Sequence, residues 1–138
     1  MFKKLALALL LVFITSSSVS QKKKRLLFFQ TDWGRSISWD AFCEKTKAAG
    51  YDGLETWFPT NEKDAQELKA ALQKHDLLVG FLNGTNKSLS FEESLKAYTD
   101  NFEKIAAWKP SYINCHTGGD FLTFEQNSAY IKAANEAS

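Results

Sequence analysis

The chain alternates between short apolar runs and longer stretches in which apolar residues recur every three or four positions. The apolar runs predict strands over 25–30, 52–58, 77–82 and 112–116. The periodic stretches predict amphipathic helices over 38–49, 64–75, 90–108 and 124–134. Four such βα pairs predict a parallel sheet with right-handed crossovers. Because the strands are mostly apolar, we expect both faces of this sheet to be covered.

Three of the predicted helices begin with the same pattern of a hydroxyl residue, an aromatic and an acid: Ser38-Trp39-Asp40, Ser90-Phe91-Glu92 and Thr123-Phe124-Glu125. The hydroxyl is a good N-cap, and the acid suits the positive end of the helix dipole. The pairs Ser90 with Glu93 and Thr123 with Gln126 also have capping-box spacing. We expect the aromatic of each start to turn toward the core.

The first twenty residues predict a secretory signal peptide. Lys3 and Lys4 precede an apolar run over 5–14, and small hydroxyl residues lead to a cleavage pattern before Gln21. The run is shorter than the roughly 20 residues that span a bilayer. The sequence therefore predicts a periplasmic or secreted protein without a stable membrane span, and a retained membrane-surface anchor is the alternative. Residues 21–25 form a short basic tail.

Charge and cysteine content narrow the classes of function. Cleavage after residue 20 would remove two lysines and no acid, so the formal charge would fall from +1 to −1. With charges so balanced, the chain has no excess of positive charge that would attract nucleic acid. Cys43 and Cys115 lie in unlike predicted elements, so we expect two separate buried thiols and neither a disulfide framework nor a zinc cluster. The glycines at 118 and 119 form no phosphate-binding motif.

The βα alternation leaves two architectures open. One is an open doubly wound sheet, and the other is a (βα)4 half of a (βα)8 TIM barrel, because a complete barrel needs about 250 residues. Both bind ligands beyond the C-terminal ends of the strands.

The predicted strand ends bring polar and aromatic residues together. They are Asp32 and Trp33, Glu55 and Trp57, Asn83, and Asn114 and His116. A carboxylate, amides and an imidazole beside two indoles suit a sugar, because polar groups bond hydroxyls and an indole covers the apolar side of the ring. Asp32 is more typical of a turn residue. Glu55 is the stronger candidate for a functional residue. Placing an acid in an apolar strand costs free energy unless the acid is paired with another group or takes part in the function. His116 could bind a metal or move a proton.

Two segments resemble the xylose-isomerase-like sugar phosphate isomerase/epimerase superfamily. SWDAFCEKTKAAGYDGLETWFP, residues 38–59, resembles its first helix and second strand, and SYINCHTGGDFLTFEQN, residues 111–127, resembles its fourth strand and the start of its fourth helix. The resemblance implies that residues 26–138 are the N-terminal half of a TIM barrel. It also implies a divalent metal (Mn, Mg or Zn) at the C-terminal mouth of the complete barrel, and proton transfer next to a carbonyl with glutamates as acid and base.

Residue by residue, the resemblance gives His116 as the candidate metal ligand and Glu55 as a residue near the substrate. Asn83 stands where a related endonuclease branch has a metal-binding histidine, which argues against endonuclease activity. The main catalytic and metal-binding acids would belong to strands five to eight, beyond Ser138. We therefore expect the isolated chain to be inactive or nearly so and to bind metal weakly.

Three functions remain in view. The first is a sugar isomerase or epimerase that is active when complete, with Glu55, Trp57, Trp33, Asn83 and Asn114 lining the substrate site. The second is an exported, non-enzymatic carbohydrate-binding module that keeps the same residues. The third is a half-barrel that forms a homodimer through its open sheet edges and so rebuilds eight strands. A small sugar or sugar derivative is the expected ligand in each.

Overall fold

A computed structural model describes residues 25–138, and these residues form four βα units. The elements in chain order are β1 (Phe29–Thr31), α1 (Trp39–Ala48), β2 (Gly53–Trp57), α2 (Glu62–His75), β3 (Leu78–Gly84), α3 (Phe91–Ala106), β4 (Tyr112–His116) and α4 (Phe124–Glu136). The predicted signal peptide, and the basic tail up to residue 24, lie outside the described residues.

The four strands form one parallel sheet in the order β1-β2-β3-β4. The register pairs Thr31 with Glu55, Glu55 with Gly80, and Gly80 with Tyr112. Because paired residues in a sheet project to the same side, these rows define its two faces. The predicted α/β class and the parallel order of the strands are confirmed.

The helices cover one face of the sheet, which we call the covered face. Leu54, Val79 and Phe81 project from it into a core with Leu68 of α2 and Ile105 of α3. A second, smaller cluster lies between α3 and α4, where Tyr130 is fully buried against Tyr98 with ring centroids 5.1 Å apart. The prediction that both faces are covered is wrong for the described residues, since their four helices pack on one side only.

The helix caps follow the predicted chemistry. The hydroxyls of Ser38, Ser90 and Thr123 each accept a hydrogen bond from a backbone N–H three residues on, and both capping boxes are present. Helix α2 begins two residues earlier than predicted, because Asn61 is its N-cap and accepts from the N–H of Asp64.

Two further predictions are corrected by the structure. Strand β1 is shorter than expected and shifted: its ladder to β2 begins at Phe29, while Leu26 stays 74% exposed. Phe124 follows its cap but does not turn into the core, and it is 81% exposed. None of the helices over residues 25–138 is long and apolar enough to cross a membrane.

Candidate functional site

The other face of the sheet, which we call the open face, carries the predicted site residues. Its side chains come from alternate positions of the four strands: Phe29 and Thr31 of β1, Glu55 and Trp57 of β2, Leu78 and Leu82 of β3, and Tyr112, Asn114 and His116 of β4. Trp57, Leu78 and Tyr112 remain between 36% and 49% exposed. The structure therefore brings Glu55, Trp57, Asn114 and His116 onto one surface, as the alternation of side chains predicts.

Two glycines shape the floor of this surface. A Cβ atom at Gly53 would overlap the ring of Phe29, and one at Gly80 would overlap the ring of Tyr112. Because the glycines leave this space free, the two rings reach inward from the edge strands β1 and β4. They meet edge to face over the middle of the sheet, with centroids 5.1 Å apart.

Glu55 lies at the centre of the polar cluster. Its Oε2 accepts a hydrogen bond from the Tyr112 hydroxyl at 2.9 Å and a longer one from the Asn114 Nδ2 at 3.3 Å. The two donors come from the far edge strand, across Gly80, so they fix the direction of the carboxylate. Its second oxygen, Oε1, makes no hydrogen bond to any residue in the described part of the chain and remains an acceptor for a ligand hydroxyl.

Tyr112 belongs to this site although the sequence did not single it out. Partial burial raises its pKa to about 12, and the hydrogen bond to Glu55 adds to the shift. The phenol is therefore neutral at physiological pH and remains a donor to the carboxylate. Gly80 was the feature of the sequence that could have indicated this role, because an isolated glycine inside a strand often marks the close approach of another group.

Trp57 and His116 form an aromatic corner at the C-terminal end of the sheet. Their rings lie edge to face with centroids 5.5 Å apart. They border a cleft of about 730 Å³ that continues over Leu82 and Gly84 to Phe121. Ligand pockets commonly have volumes of about 300–1,000 Å³. Glu55 is set two residues back from Trp57 on the same strand, so it lies below the cleft and outside its lining.

Three other predicted residues lie off the open face, although Asn83 lines the cleft of about 730 Å³ from the covered side. Asn83 projects to the covered face, where it is 2% exposed, donates to the Tyr98 carbonyl at 3.0 Å and accepts from Asn101 at 3.3 Å. It is satisfied by α3 and does not neighbour Glu55. Asp32 accepts from the Thr56 hydroxyl at 2.8 Å, and its carbonyl accepts from the N–H of Arg35, as expected of a turn residue. Trp33 is 72% exposed in the same loop.

The donor set for a metal is small. Over residues 25–138, no group of three or more His, Cys, Asp or Glu side chains is placed to hold a metal ion. His116 contributes one imidazole, and one oxygen of Glu55 is already bonded to Tyr112. These residues by themselves are too few to hold a resident metal.

Both cysteines are free thiols, which confirms that they do not pair. Cys43 is fully buried in α1, and burial raises its pKa to about 11. Cys115 is only half-buried on the covered side of β4, so the prediction of two buried thiols holds for Cys43 alone.

A second cleft, of about 570 Å³, lies between α2 and α3 on the covered side. Phe58 and Trp108 form its floor, and Lys69 stands over the Trp108 ring at 5.5 Å. We favour the open face as the functional site, because it holds an oriented carboxylate on the strand whose C-terminal end, at Trp57, borders the cleft. Parallel sheets bind ligands at that end.

Comparisons with known proteins add no relative from which a role could be transferred. No protein-family model matches the chain, and no curated protein and no solved structure matches it significantly.

Proposed function

We propose that this chain forms the N-terminal half of a (βα)8 barrel of the sugar isomerase and epimerase type. In this proposal a small sugar or sugar derivative binds at the C-terminal mouth of the open face. When four further βα units complete the barrel, they supply the acids that move a proton next to the sugar carbonyl. The resemblance of residues 38–59 and 111–127 to that superfamily motivates the reaction class.

The observation that carries the proposal is the oriented carboxylate of Glu55. Tyr112 and Asn114 both donate to Oε2, which leaves Oε1 free to accept. Glu55 is the one acidic residue in the four strands that residues 25–138 form, and burying part of a carboxylate costs free energy unless its hydrogen bonds are made. Such a fixed acceptor suits a hydroxyl of a polyol, because a sugar offers many donors at defined angles.

The aromatic corner complements this acceptor. Trp57 presents an indole that is 49% exposed, next to His116 and two residues further along β2 than Glu55. An indole face covers the apolar C–H face of a sugar ring, while the carboxylate bonds the hydroxyls at its edge. His116 is the candidate residue to contact the carbonyl end of the ligand or a metal that the completed barrel would hold.

Isothermal titration with a panel of free aldoses and ketoses tests the binding step. We expect Glu55→Gln and Trp57→Ala each to weaken binding of the best ligand at least tenfold, or about 1.4 kcal/mol. Leu78→Ala is the matched control, because Leu78 lies on the same face at the opposite end of the sheet. Equal loss in Leu78→Ala, or no loss in Glu55→Gln, would contradict the site.

A second candidate function is an exported carbohydrate-binding module that performs no reaction. The exposed indole of Trp57 beside His116 favours it, because an aromatic platform next to polar groups is enough to hold a sugar. The two candidates differ in turnover. Isomerisation of the bound sugar by this chain together with four further βα units would favour the enzyme, whereas binding without turnover in that longer protein would favour the module.

A further inference from the structure

We infer that the covered-side cleft is a ligand site for a small aromatic carboxylate. Phe58 and Trp108 form its floor, and Lys69 and Lys104 bring two ammonium groups to it from α2 and α3. Its lining residues all lie between 58 and 108, in the second and third βα units. The site is therefore separate from the open face and depends on neither the sugar nor the reaction proposed there.

The floor of the cleft is fixed before any ligand enters. The fully buried ring of Phe81 packs edge to face on Phe58, with centroids 5.2 Å apart, and on Trp108, with centroids 5.4 Å apart. Phe58 and Trp108 also contact each other edge to face at 6.0 Å, and both stay only half-buried. Because aromatic pairs gain more than their area alone, this floor favours a planar ring. A floor held in place by the core also loses little conformational freedom on binding.

The turn after α3 sets the position of the Trp108 indole. The backbone N–H of Trp108 donates to the Ile105 carbonyl at 2.9 Å, and that of Lys109 donates to the Ala106 carbonyl at 2.9 Å. Lys109 has a φ of 53°, in the left-handed region that usually takes a glycine. Pro110 follows and cannot continue the helix. The indole is therefore held by the backbone as well as by its ring contacts.

The two lysines of the cleft lack the acidic partners that the other lysines of α2 and α3 have. The paired lysines are Lys63 with Glu67, Lys74 with Asp40, and Lys96 with Asp100. Among residues 25–138, no acid forms an ion pair with Lys69 or Lys104. The Lys69 Nζ instead lies 5.5 Å from the centroid of the Trp108 ring. Both ammonium groups are therefore available to attract the anionic group of a ligand.

The charges along the cleft give the ligand a direction. Glu62 lies at the N-terminal end of α2, and its Oε1 accepts a hydrogen bond from the Gln66 Nε2 at 2.9 Å. Lys69 is seven residues further along α2, which is about 10 Å at roughly 1.5 Å per residue. A carboxylate is attracted by the lysine end and repelled by the Glu62 end. We therefore expect the carboxylate between Lys69 and Lys104 and the ring over the floor.

The size of the cleft and its boundary with the open face support a separate ligand. Its volume of about 570 Å³ lies within the range of about 300–1,000 Å³ that is common for small-molecule sites. Phe58, Thr60 and Asn101 line both this cleft and the cleft at the mouth of the open face, so the two adjoin at the end of β2. Lys69 and Lys104 line the covered-side cleft alone. An aromatic anion therefore finds its floor and both ammonium groups together in the covered-side cleft.

Two-dimensional NMR of the full chain during titration with 2-naphthoate tests the inference. We expect saturable shifts of the Trp108 indole N–H signal, with Trp39 unmoved. Lys69→Gln and Lys104→Gln should each raise the dissociation constant about threefold, as expected for the loss of one exposed ion pair. Lys45→Gln is the matched control, because Lys45 is exposed on α1 and lies outside the cleft. Two further probes separate the parts of the ligand: 2-naphthamide keeps the ring without the charge, and acetate keeps the charge without the ring.

Equal affinity for 2-naphthamide, equal affinity for acetate, or no saturable shift at Trp108 would overturn the inference. So would equal weakening by Lys45→Gln. Circular dichroism of each variant confirms that it is folded before affinities are compared. The sugar panel is titrated separately and read at Trp57. Sugar shifts at Trp57 without naphthoate shifts at Trp108 would refute this site and leave the proposed function standing, and the opposite pair of results would do the reverse.

Discussion

On the covered face of the sheet, Leu54 and Phe81 have no solvent exposure, whereas on the open face Trp57 keeps 49% and Leu78 keeps 44% of its surface exposed. Both faces are built from the same strands at alternating positions. The covered face is held by helices that bury apolar surface, and the open face is organised by hydrogen bonds to Glu55. The difference indicates that the covered face provides stability and that the open face is available for ligands or a partner.

The largest effect on stability is expected when one side chain on each face is truncated to alanine. Phe81→Ala on the covered face should lower the free energy of unfolding by about 3–5 kcal/mol, because the ring packs on Phe58 and Trp108 and leaves a cavity. Leu78→Ala on the open face should cost less than about 1 kcal/mol. Urea unfolding measures both.

If Phe81→Ala does not fold, Ile105→Val is the milder variant, with an expected loss of about 0.5–1.5 kcal/mol. Ile105 is fully buried against the same cluster. Equal losses from the two faces would contradict the division of roles.

An intermediate effect is expected at Gly80. A Cβ atom there would overlap the Tyr112 ring, so Gly80→Ala should displace the ring and break its bond to Glu55. We expect a loss of about 1–3 kcal/mol, as for other overpacked sites. Tyr112→Phe is the comparison, since it removes the hydroxyl and keeps the ring in place. A Gly80→Ala variant as stable as the wild type would show that the ring is not confined.

A smaller effect concerns the pKa of Tyr112. Burial and the hydrogen bond to Glu55 raise it to about 12, so Glu55→Gln should lower it toward its usual value of about 10 while burial keeps part of the shift. Ultraviolet titration of the phenolate measures the change as a difference between the two proteins. No change would mean that Glu55 and Tyr112 are not bonded in solution.

The sign of the stability effect follows from the direction of this shift. A phenol whose pKa is raised by folding contributes its full stability below pH 10, the ordinary value. That contribution is lost as the pH rises through about 12. Denaturation midpoints in the alkaline range should therefore fall less steeply in Glu55→Gln than in the wild type.

The smallest effect is expected at an ion pair on the helix layer. Lys74 donates to Asp40 at 2.8 Å and His75 contacts it at 2.7 Å, and these hydrogen bonds lower the pKa of Asp40. A carboxyl group whose pKa is lowered by folding stabilises the fold at pH values above its ordinary pKa. This contribution is lost as the pH falls through the pKa of the folded state. Because the pair is exposed, Asp40→Asn should change the urea midpoint only slightly at neutral pH, and still less in acid.

The strand and helix pattern was predictable because it depends on local periodicity. The ends of β4 were predicted correctly, and the caps of α1, α3 and α4 were predicted from their hydroxyl residues. The start of β1 was not predicted correctly, because the apolar run is longer than the segment that pairs with β2. Phe124 follows a hydroxyl N-cap as Trp39 does, so the two were predicted to behave alike. Whether such an aromatic is buried depends on the neighbouring helix, which the local pattern does not show.

The site was predictable only where alternation along one strand decides the outcome. Glu55 with Trp57, and Asn114 with His116, are two residues apart and share the open face as expected. Asn83 lines the same cleft as Trp57 and His116, but it projects to the covered face, because a strand end does not fix which face a residue takes on a neighbouring strand. The role of Tyr112 depends on a long-range contact over Gly80, which spacing along the chain does not reveal.

The most direct test of the central claim, that the mouth of the open face binds a sugar, uses the four tryptophans of the chain as reporters. Trp57 lies at the mouth and Trp33 is exposed in the loop after β1, whereas Trp39 in α1 is 3% exposed and Trp108 lines the covered-side cleft. Sugar titration is followed by the indole N–H signals in two-dimensional NMR spectra. We predict saturable shifts at Trp57 that vanish in Glu55→Gln, with Trp39 and Trp108 unmoved. Shifts confined to Trp108, or none at any indole across the sugar panel, would contradict the account.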